Sequence, residues 1–291
     1  MKIKYTSVSS LRLDVFLSSK FPEVSRSQII KKIDDSLITV NGSSVKSSYP
    51  LKTGDTVETA SSTFQIPKPK KVNLKVIYQD DFCIVIDKPE GIITHAKGAL
   101  TSEGSVASFI KPLIDNCMEG NRAGIVHRLD RGTSGVIIAA KTPQALIYLQ
   151  RQFAKRQTLK RYIAVVGGEM DREEASINMP IERNPKRPSS FRVGANGKPA
   201  QTYYKVLASS SKYSTLLLEP KTGRTHQLRV HLKAIGHPIV GDIFYGGEPA
   251  DRLMLHAYSL EVILPDKGRT KFISPVPELF YKYASLDLQD L

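Results

Sequence analysis

The chain has 291 residues, 41% of them hydrophobic, with 19 glycines and 17 prolines, which excludes a mostly disordered or collagen-like protein and leaves room for two domains of roughly 100 to 200 residues each. Forty-two Lys plus Arg against 28 Asp plus Glu give a formal charge of +14. A surplus of that size points to a polyanionic partner, nucleic acid first, because each cation that meets a phosphate releases condensed counterions; the alternative is a basic surface kept for solubility. No run approaches the roughly 18 apolar residues of a membrane span, and the two lysines near the N-terminus have no apolar stretch behind them, so a cytoplasmic protein without membrane contact is expected. The two cysteines, Cys83 and Cys117, are isolated and imply neither a disulfide framework nor a cysteine metal site.

Residues 1–60 read as a first domain of two helices, a turn and short strands. Leu13, Phe16 and Leu17 recur at helical spacing, and Ser25 stands as an N-cap before a helix that puts Ile29, Ile30 and Ile33 on one face. Leu37 to Val40 is a strand entering an Asn41-Gly42 turn, and Leu51 to Val57 supplies another turn and strand. Arg26, Lys31 and Lys32 are candidate phosphate contacts, or else solvated helix charges. Residues 61–73, with Pro67-Lys68-Pro69-Lys70-Lys71, read as an extended basic linker that would let two domains engage one polyanionic ligand.

A second domain is expected over residues 74–291. Leu74 to Tyr78 and Phe82 to Asp87 are strand-like, and Lys88-Pro89-Glu90-Gly91 is a turn. His127-Arg128-Leu129-Asp130-Arg131-Gly132-Thr133-Ser134-Gly135 then places a carboxylate between two arginines and runs into the apolar strand Val136 to Ala140. Such a run is by default a surface ion pair worth under about 1 kcal/mol. Gly132 and Gly135 favour another reading, since both permit positive φ and the close approach of a ligand at a sheet edge. Positive neighbours favour an acid's charged form, so Asp130 reads as a nucleophile or charge holder and not as a proton donor.

Pro143 to Gln157 follows as a helix with Leu146, Leu149 and Phe153 on one face. Leu159 to Gly167 is an alternating strand with Tyr162 and Ala164 on one side, where a tyrosine is by default half-buried packing. Ile181 to Tyr204 is a basic loop that includes Arg192. After the strand Ser214 to Glu219, Thr225 would cap a helix carrying Leu228, Leu232 and Ile235 inward. His226 and His231 are five residues apart, not the four that stack two imidazoles on one helical face, which argues against zinc. His95, His237 and His256 read as hydrogen-bonding residues. Periodicity alone assigns the chain to the α+β class.

The stretch HRLDRGTSG resembles the catalytic motif of the RluA-type pseudouridine synthases, enzymes that isomerise uridine in large-subunit ribosomal RNA or transfer RNA. KPEGIITHAKG, the KxYxAxVxG pattern from Lys160, GKPAQTYYKVL, GRTHQLRVHL, HPIVGD and LMLHA resemble further blocks of that family, with Ala96 where proline is common. Near the N-terminus LRLDVFL, SRSQIIKKI, LITVNG and LKTGDTVE resemble the alpha-L RNA-binding domain of the ribosomal protein S-four type, with Ser36 where glycine is usual.

The resemblance implies a small alpha-L domain followed by a catalytic domain with a mixed, mainly antiparallel sheet, flanking helices and a central RNA cleft. It makes Asp130 the essential carboxylate, Tyr162 the active-site tyrosine, and Arg229 the arginine that pairs with the carboxylate through a bidentate contact. Arg128 takes the place of the side chain that fills the gap left by a flipped nucleotide, and Arg131, His95, Arg26, Lys31, Lys32 and Arg192 make up the expected RNA-facing set. Isomerisation balances in bond order and redox state, so no cofactor and no metal are expected. The expected partner is ribosomal RNA, with transfer RNA as the alternative, and the expected state is a monomer. Two rival classes are a non-catalytic ribosome-assembly factor, which an intact Asp130, Tyr162 and Arg229 argue against, and an RNA hydrolase, which would want more carboxylates or histidines around a metal.

Overall fold

The computed structural model describes residues 1–283 apart from 61, 97, 99, 119 and 121. Ser61 at the head of the expected linker, Lys97 within KPEGIITHAKG and residues 284–291 at the end of the expected second domain lie outside the described residues. The chain forms two units, the first built from residues 1–72, 95–108 and 119–123, the second from 73–94, 109–118 and 124–291.

The first unit contains β1 (Lys2–Lys4), β2 (Leu11–Arg12), α1 (Leu13–Lys20), α2 (Arg26–Asp34), β3 (Ile38–Val40), β4 (Pro50–Leu51) and β5 (Thr56–Thr59). α2 starts where the sequence indicates: the Ser25 hydroxyl accepts the Gln28 N–H and the Gln28 side chain accepts the Ser25 N–H, a reciprocal capping box. Ile29 and Ile33 are buried on its inner face with Leu13 and Leu17 of α1, above the β1-β5-β3 sheet. Asn41 and Gly42 both take positive φ in the turn after β3, the backbone that an Asn-Gly pair adopts at least cost. Ser36 has φ +56°, so the serine takes up the left-handed conformation for which glycine is suited.

The boundary expected at residue 60 is moved. Phe64 is buried and stacks on Phe21 with ring centroids 4.1 Å apart, and the Lys70 N–H donates to Ser102 O at 2.7 Å, which ties residues up to Val72 into this unit. The proline and lysine content argued for an extended strap, but one aromatic side chain is enough apolar surface to anchor its first half.

The second unit carries β6 (Lys75–Gln79), β7 (Cys83–Lys88), β8 (Ser134–Ala140), α4 (Pro143–Ala154), β9 (Leu159–Gly167), β10 (Glu174–Asn178), β11 (Ile181–Arg183), β12 (Phe191–Val193), β13 (Gln201–Ser209), β14 (Tyr213–Pro220), α5 (Gln227–Ala234), β15 (Leu255–Leu264) and β16 (Gly268–Ile273). The short helix α3 (Val106–Ile110) lies between β7 and β8 in chain order, where the chain passes from the first unit to the second. Nine strands form one sheet in the order β10-β13-β14-β9-β15-β8-β7-β6, with β16 on the other part of β15. Every pairing is antiparallel except β15 with β8. This is the mixed, mainly antiparallel sheet that the resemblance implies.

β8 is buried at all seven positions, as its unbroken apolar run requires of a strand covered on both faces. α4 packs Leu149 onto one part of the sheet and is capped by Thr142, whose side chain accepts the Ala145 N–H; α5 packs Leu228 and Leu232 onto another. Of the described residues, no helix is long and apolar enough to cross a membrane.

Candidate active site

The loop from His127 to Thr133 presents Asp130 just before β8, and its backbone is pinned from several sides. Thr94 Oγ1 donates to Leu129 O at 2.9 Å and accepts the Leu129 N–H at 3.1 Å. The Gly91 N–H donates to Arg131 O, and Thr133 N–H closes a turn onto Asp130 O. Lys88 is fully buried at the end of β7, with Nζ donating to Pro89 O, Ile92 O and, at 3.4 Å, Arg131 O. Read from sequence as the first residue of a turn, this lysine fastens the turn and the Asp130 loop together.

The two glycines of the motif differ. Gly135 has φ +112°, and a Cβ there would lie 2.2 Å from Ala257 O, because β8 and β15 run parallel with Ala257 opposite Gly135. Gly132 has no positive φ, contrary to expectation; a Cβ there would meet the Leu253 side chain at 3.3 Å. Only Gly135 is fixed by backbone geometry.

Asp130 lines a cavity of about 130 Å³ together with Arg128, Tyr162 of β9, and His226 and Arg229 at the start of α5; Leu228, Leu255 and Pro220 supply apolar wall. The sequence candidates for chemistry therefore meet although they are spread over a hundred residues. Arg229 Nη1 is 3.6 Å from Asp130 Oδ2, and His226 Nε2 is 3.8 Å from the same oxygen.

The bidentate contact expected between Arg229 and Asp130 is made elsewhere. Arg229 Nε and Nη2 donate to the two carboxylate oxygens of Asp242 at 2.7 Å each, and the guanidinium lies over the Tyr245 ring, 4.8 Å from its centroid. A guanidinium fork matches one carboxylate at a time, so the nitrogen left over is the one offered to Asp130. Burial acts to lower the Arg229 value, but Asp242 and Asp130 outweigh it and hold the group above its ordinary range.

α5 does not begin with a Thr225 cap. His226 occupies the N-cap position with φ +57° and no side chain caps the helix, while the Gln227 side chain ties down the preceding loop by accepting the Arg224 N–H and the Thr222 hydroxyl. The left-handed turn brings His226 into the cavity. Its Nδ1 lies 2.8 Å from the Tyr245 hydroxyl, whose oxygen already accepts the Phe191 N–H. Nε2 is the nitrogen facing Asp130, so the ring stands between the Tyr245 hydroxyl and the carboxylate. Burial lowers the His226 value despite the pull of Asp130, so the ring is favoured in its neutral form. Burial, aided by the Asp130 charge, pushes the Tyr162 phenol well up.

The expected RNA-facing residues are dispersed. Arg128 is exposed at the cavity mouth. Arg131 is exposed and donates to Gly91 O at 3.3 Å, and Arg192 is paired with Glu182 at 2.8 Å across the β11–β12 hairpin. In the first unit Arg26, with Arg12, pairs with the fully buried Asp14: burial raises that carboxyl, but hydrogen bonds from the two arginines win and lower it. Lys31 is exposed, Lys32 half-buried and His95 buried. His237 and His256 are hydrogen-bonded to Gly167 O and to Ser134 and Ser274 respectively, as read from sequence.

Sequence reading missed Asp242 and the approach of His226 to Asp130. The available signal for Asp242 was an acid directly after Gly241, a left-handed glycine, in a block otherwise apolar.

Residues 82–234 match the family model described as RNA pseudouridylate synthase, and residues 11–57 match that of the S4 domain. The chain is 39% identical over 293 residues to a protein of Borreliella burgdorferi named ribosomal large subunit pseudouridine synthase D, covering 95% of this chain and 90% of that one. It is 35% identical to the Yersinia pestis protein of the same name, over 88% of this chain and 84% of the relative. The solved structure of human RNA pseudouridylate synthase domain containing 1 aligns with a TM-score of 0.58 at 29% identity, over 72% of this chain and 86% of that one. With more than half of its residues inside the family model and relatives above 30% identity along most of their length, the chain belongs to the RNA pseudouridylate synthase family and is an RNA pseudouridine synthase, an isomerase.

Proposed function

We propose that the chain converts particular uridines of large-subunit ribosomal RNA to pseudouridine, with Asp130 as the essential carboxylate. The relatives' names support the substrate class. The observation that carries the assignment of residues is that Asp130, Arg229, Tyr162 and Arg128 line one cavity.

In the reaction the bond from ribose C1′ to ring N1 breaks, the freed base turns, and C1′ joins C5; the C5 proton leaves and N1 gains one. Asp130 acts at the sugar-base junction, and Arg229 holds its charge there without neutralising it by full pairing, since Asp242 occupies two of its nitrogens. Tyr162 packs on the uracil and enters the reaction protonated, in keeping with its raised phenol. Arg128 fills the space vacated in the RNA, offsetting part of the few kcal/mol that extruding a nucleotide costs, at roughly that scale. The first unit supplies RNA affinity, the second the chemistry, and the chain works as a cytoplasmic monomer.

The test is Asp130→Asn. Pseudouridine formation in large-subunit ribosomal RNA is expected to vanish while RNA affinity stays within a few fold. Retained turnover would remove Asp130 from its role, and mapping that finds no pseudouridine lost from large-subunit RNA when the protein is absent would remove the substrate.

A further inference from the structure

A second cavity, of about 480 Å³, adjoins the one that holds Asp130; the two share Arg128, Lys160, Tyr162, Thr222, Gly223 and Arg224. The lining of the second is completed by Val126, His127, Phe153, Ala154, Arg156 and Lys221. It holds five cations and no carboxylate.

Lys221 is paired with Glu219 outside the lining, and Arg224 Nε donates to Pro199 O, but among the described residues Arg128, Arg156 and Lys160 have no carboxylate within 4.0 Å. Burial lowers the Lys160 ammonium from its ordinary value, and the charges of Arg156 and Lys221 press in the same direction. Cations gathered in a concave site without a counter-charge disfavour one another until an anion enters.

Two aromatic side chains also line the cavity, one ring face of each turned to the other. The His127 and Phe153 rings stack with centroids 4.6 Å apart and planes 17° from parallel. His127 Nε2 accepts the Ile138 N–H at 3.1 Å, and burial lowers the ring to about 3, so the neutral imidazole carries its proton on Nδ1. A basic pocket with an aromatic platform is the combination by which proteins hold a single-stranded nucleotide, phosphate on the cations and base on the rings.

We propose that the second cavity receives the nucleotide adjacent to the one that enters the Asp130 cavity, with its phosphate among Lys160, Arg156 and Lys221 and its base against the outer side of the stacked His127–Phe153 pair. The shared wall favours an RNA neighbour over a free anion: two nucleotides joined by a phosphate would occupy two cavities joined by Arg128 and Lys160. The inference rests on the reading that the Asp130 cavity takes a uridine of RNA. It makes the flanking nucleotide part of what selects the target.

The probe is a short synthetic RNA around a uridine that the wild-type chain converts, made in versions in which one phosphodiester linkage near the target is replaced by an uncharged methylphosphonate. Each version is assayed with the wild-type chain and with Arg156→Asn/Lys221→Gln, asparagine being a residue that tolerates the left-handed backbone at position 156 (φ +57°). On unmodified RNA the double variant is expected to raise KM about tenfold with kcat within about twofold, the size of losing a charged phosphate contact. At one linkage next to the target, the neutral replacement should raise KM for wild type and add almost nothing for the variant, the non-additivity of groups in direct contact.

An unchanged KM in the variant, or losses that multiply independently at every linkage, would overturn the proposal. If the double variant does not fold, Lys221→Gln, an exposed position, carries the same cycle. A wild-type chain that converts no uridine in any RNA would instead overturn the underlying reading, and the second site with it.

Discussion

Asp242 holds two nitrogens of Arg229 at 2.7 Å each and leaves the third 3.6 Å from Asp130. The cation nearest the site's acid is thus aimed by a second, buried acid, and the three charges form a chain in which Arg229 is shared. Asp242→Asn keeps the shape but removes the charge, so the guanidinium is free to close fully on Asp130. Turnover is expected to fall about 10- to 100-fold with KM little changed, the loss of a preorganised charge and not of binding. Asp242→Ala adds a stability loss of about 3 kcal/mol, because it strands a buried guanidinium. Single-turnover rates and denaturant unfolding of both variants separate the effects; an asparagine variant with wild-type kcat would show that Arg229 needs no such aiming.

Gly135 and Gly132 should respond very differently to alanine. At Gly135 a methyl group would sit 2.2 Å from Ala257 O on a backbone at φ +112°, so Gly135→Ala is expected to cost at least about 3 kcal/mol or to prevent folding. At Gly132 the neighbours are Cβ and Cδ2 of Leu253 at 3.3 Å each; Cδ2 can swing aside and Cβ need shift only slightly with its backbone, so the cost should stay at about 1 to 2 kcal/mol. Urea titrations of the two variants side by side test the contrast, and equal losses would refute it.

His256 gives stability a pH dependence. It is buried where β8 meets β15, between Ser134 Oγ and Ser274 O, and burial lowers its value to about 4 from the ordinary 6.5. Between those values the unfolded chain binds the proton and the folded chain does not, so stability rises with pH across this window and is lost as pH falls toward 4. Full loss is on the order of 3 kcal/mol. His256→Gln should flatten unfolding free energy against pH between about 4 and 6.5 by close to one proton; an unaltered slope would mean that His256 does not titrate there.

The parts of this molecule that were legible in the sequence are those with a local cause. Ser25 before Arg26–Asp34, Asn41-Gly42 after β3, Pro143 in the first turn of α4 and the apolar run of β8 each carry their own instruction within a few residues. Asp130, Tyr162 and Arg229 were found through motif resemblance, and nothing in their spacing said that they would share a cavity. What stayed hidden depended on partners far apart in the chain or on unusual backbone. Arg229 meets Asp242 only because a loop after α5 folds back, Lys88 is buried because three carbonyls converge on it, and Phe64 belongs to a core whose other members begin near Tyr5. Thr225 lost the capping position to His226 because the backbone at 226 turns left-handed, which residue identity alone does not announce for histidine.

The parallel pairing of β8 with β15, the one such pairing among the described residues, sets an order of events on the ribosome. Its two strands lie about 120 residues apart, with Ser134 opposite His256, and such a crossing cannot be made until the later strand has left the exit tunnel. Until then β8 has one side open, although the loop bearing Asp130 is held from its other flank by Lys88, Gly91 and Thr94, which precede it in the chain. The cavity that Asp130 lines cannot be complete before that pairing, because Leu255 of β15 forms part of its wall.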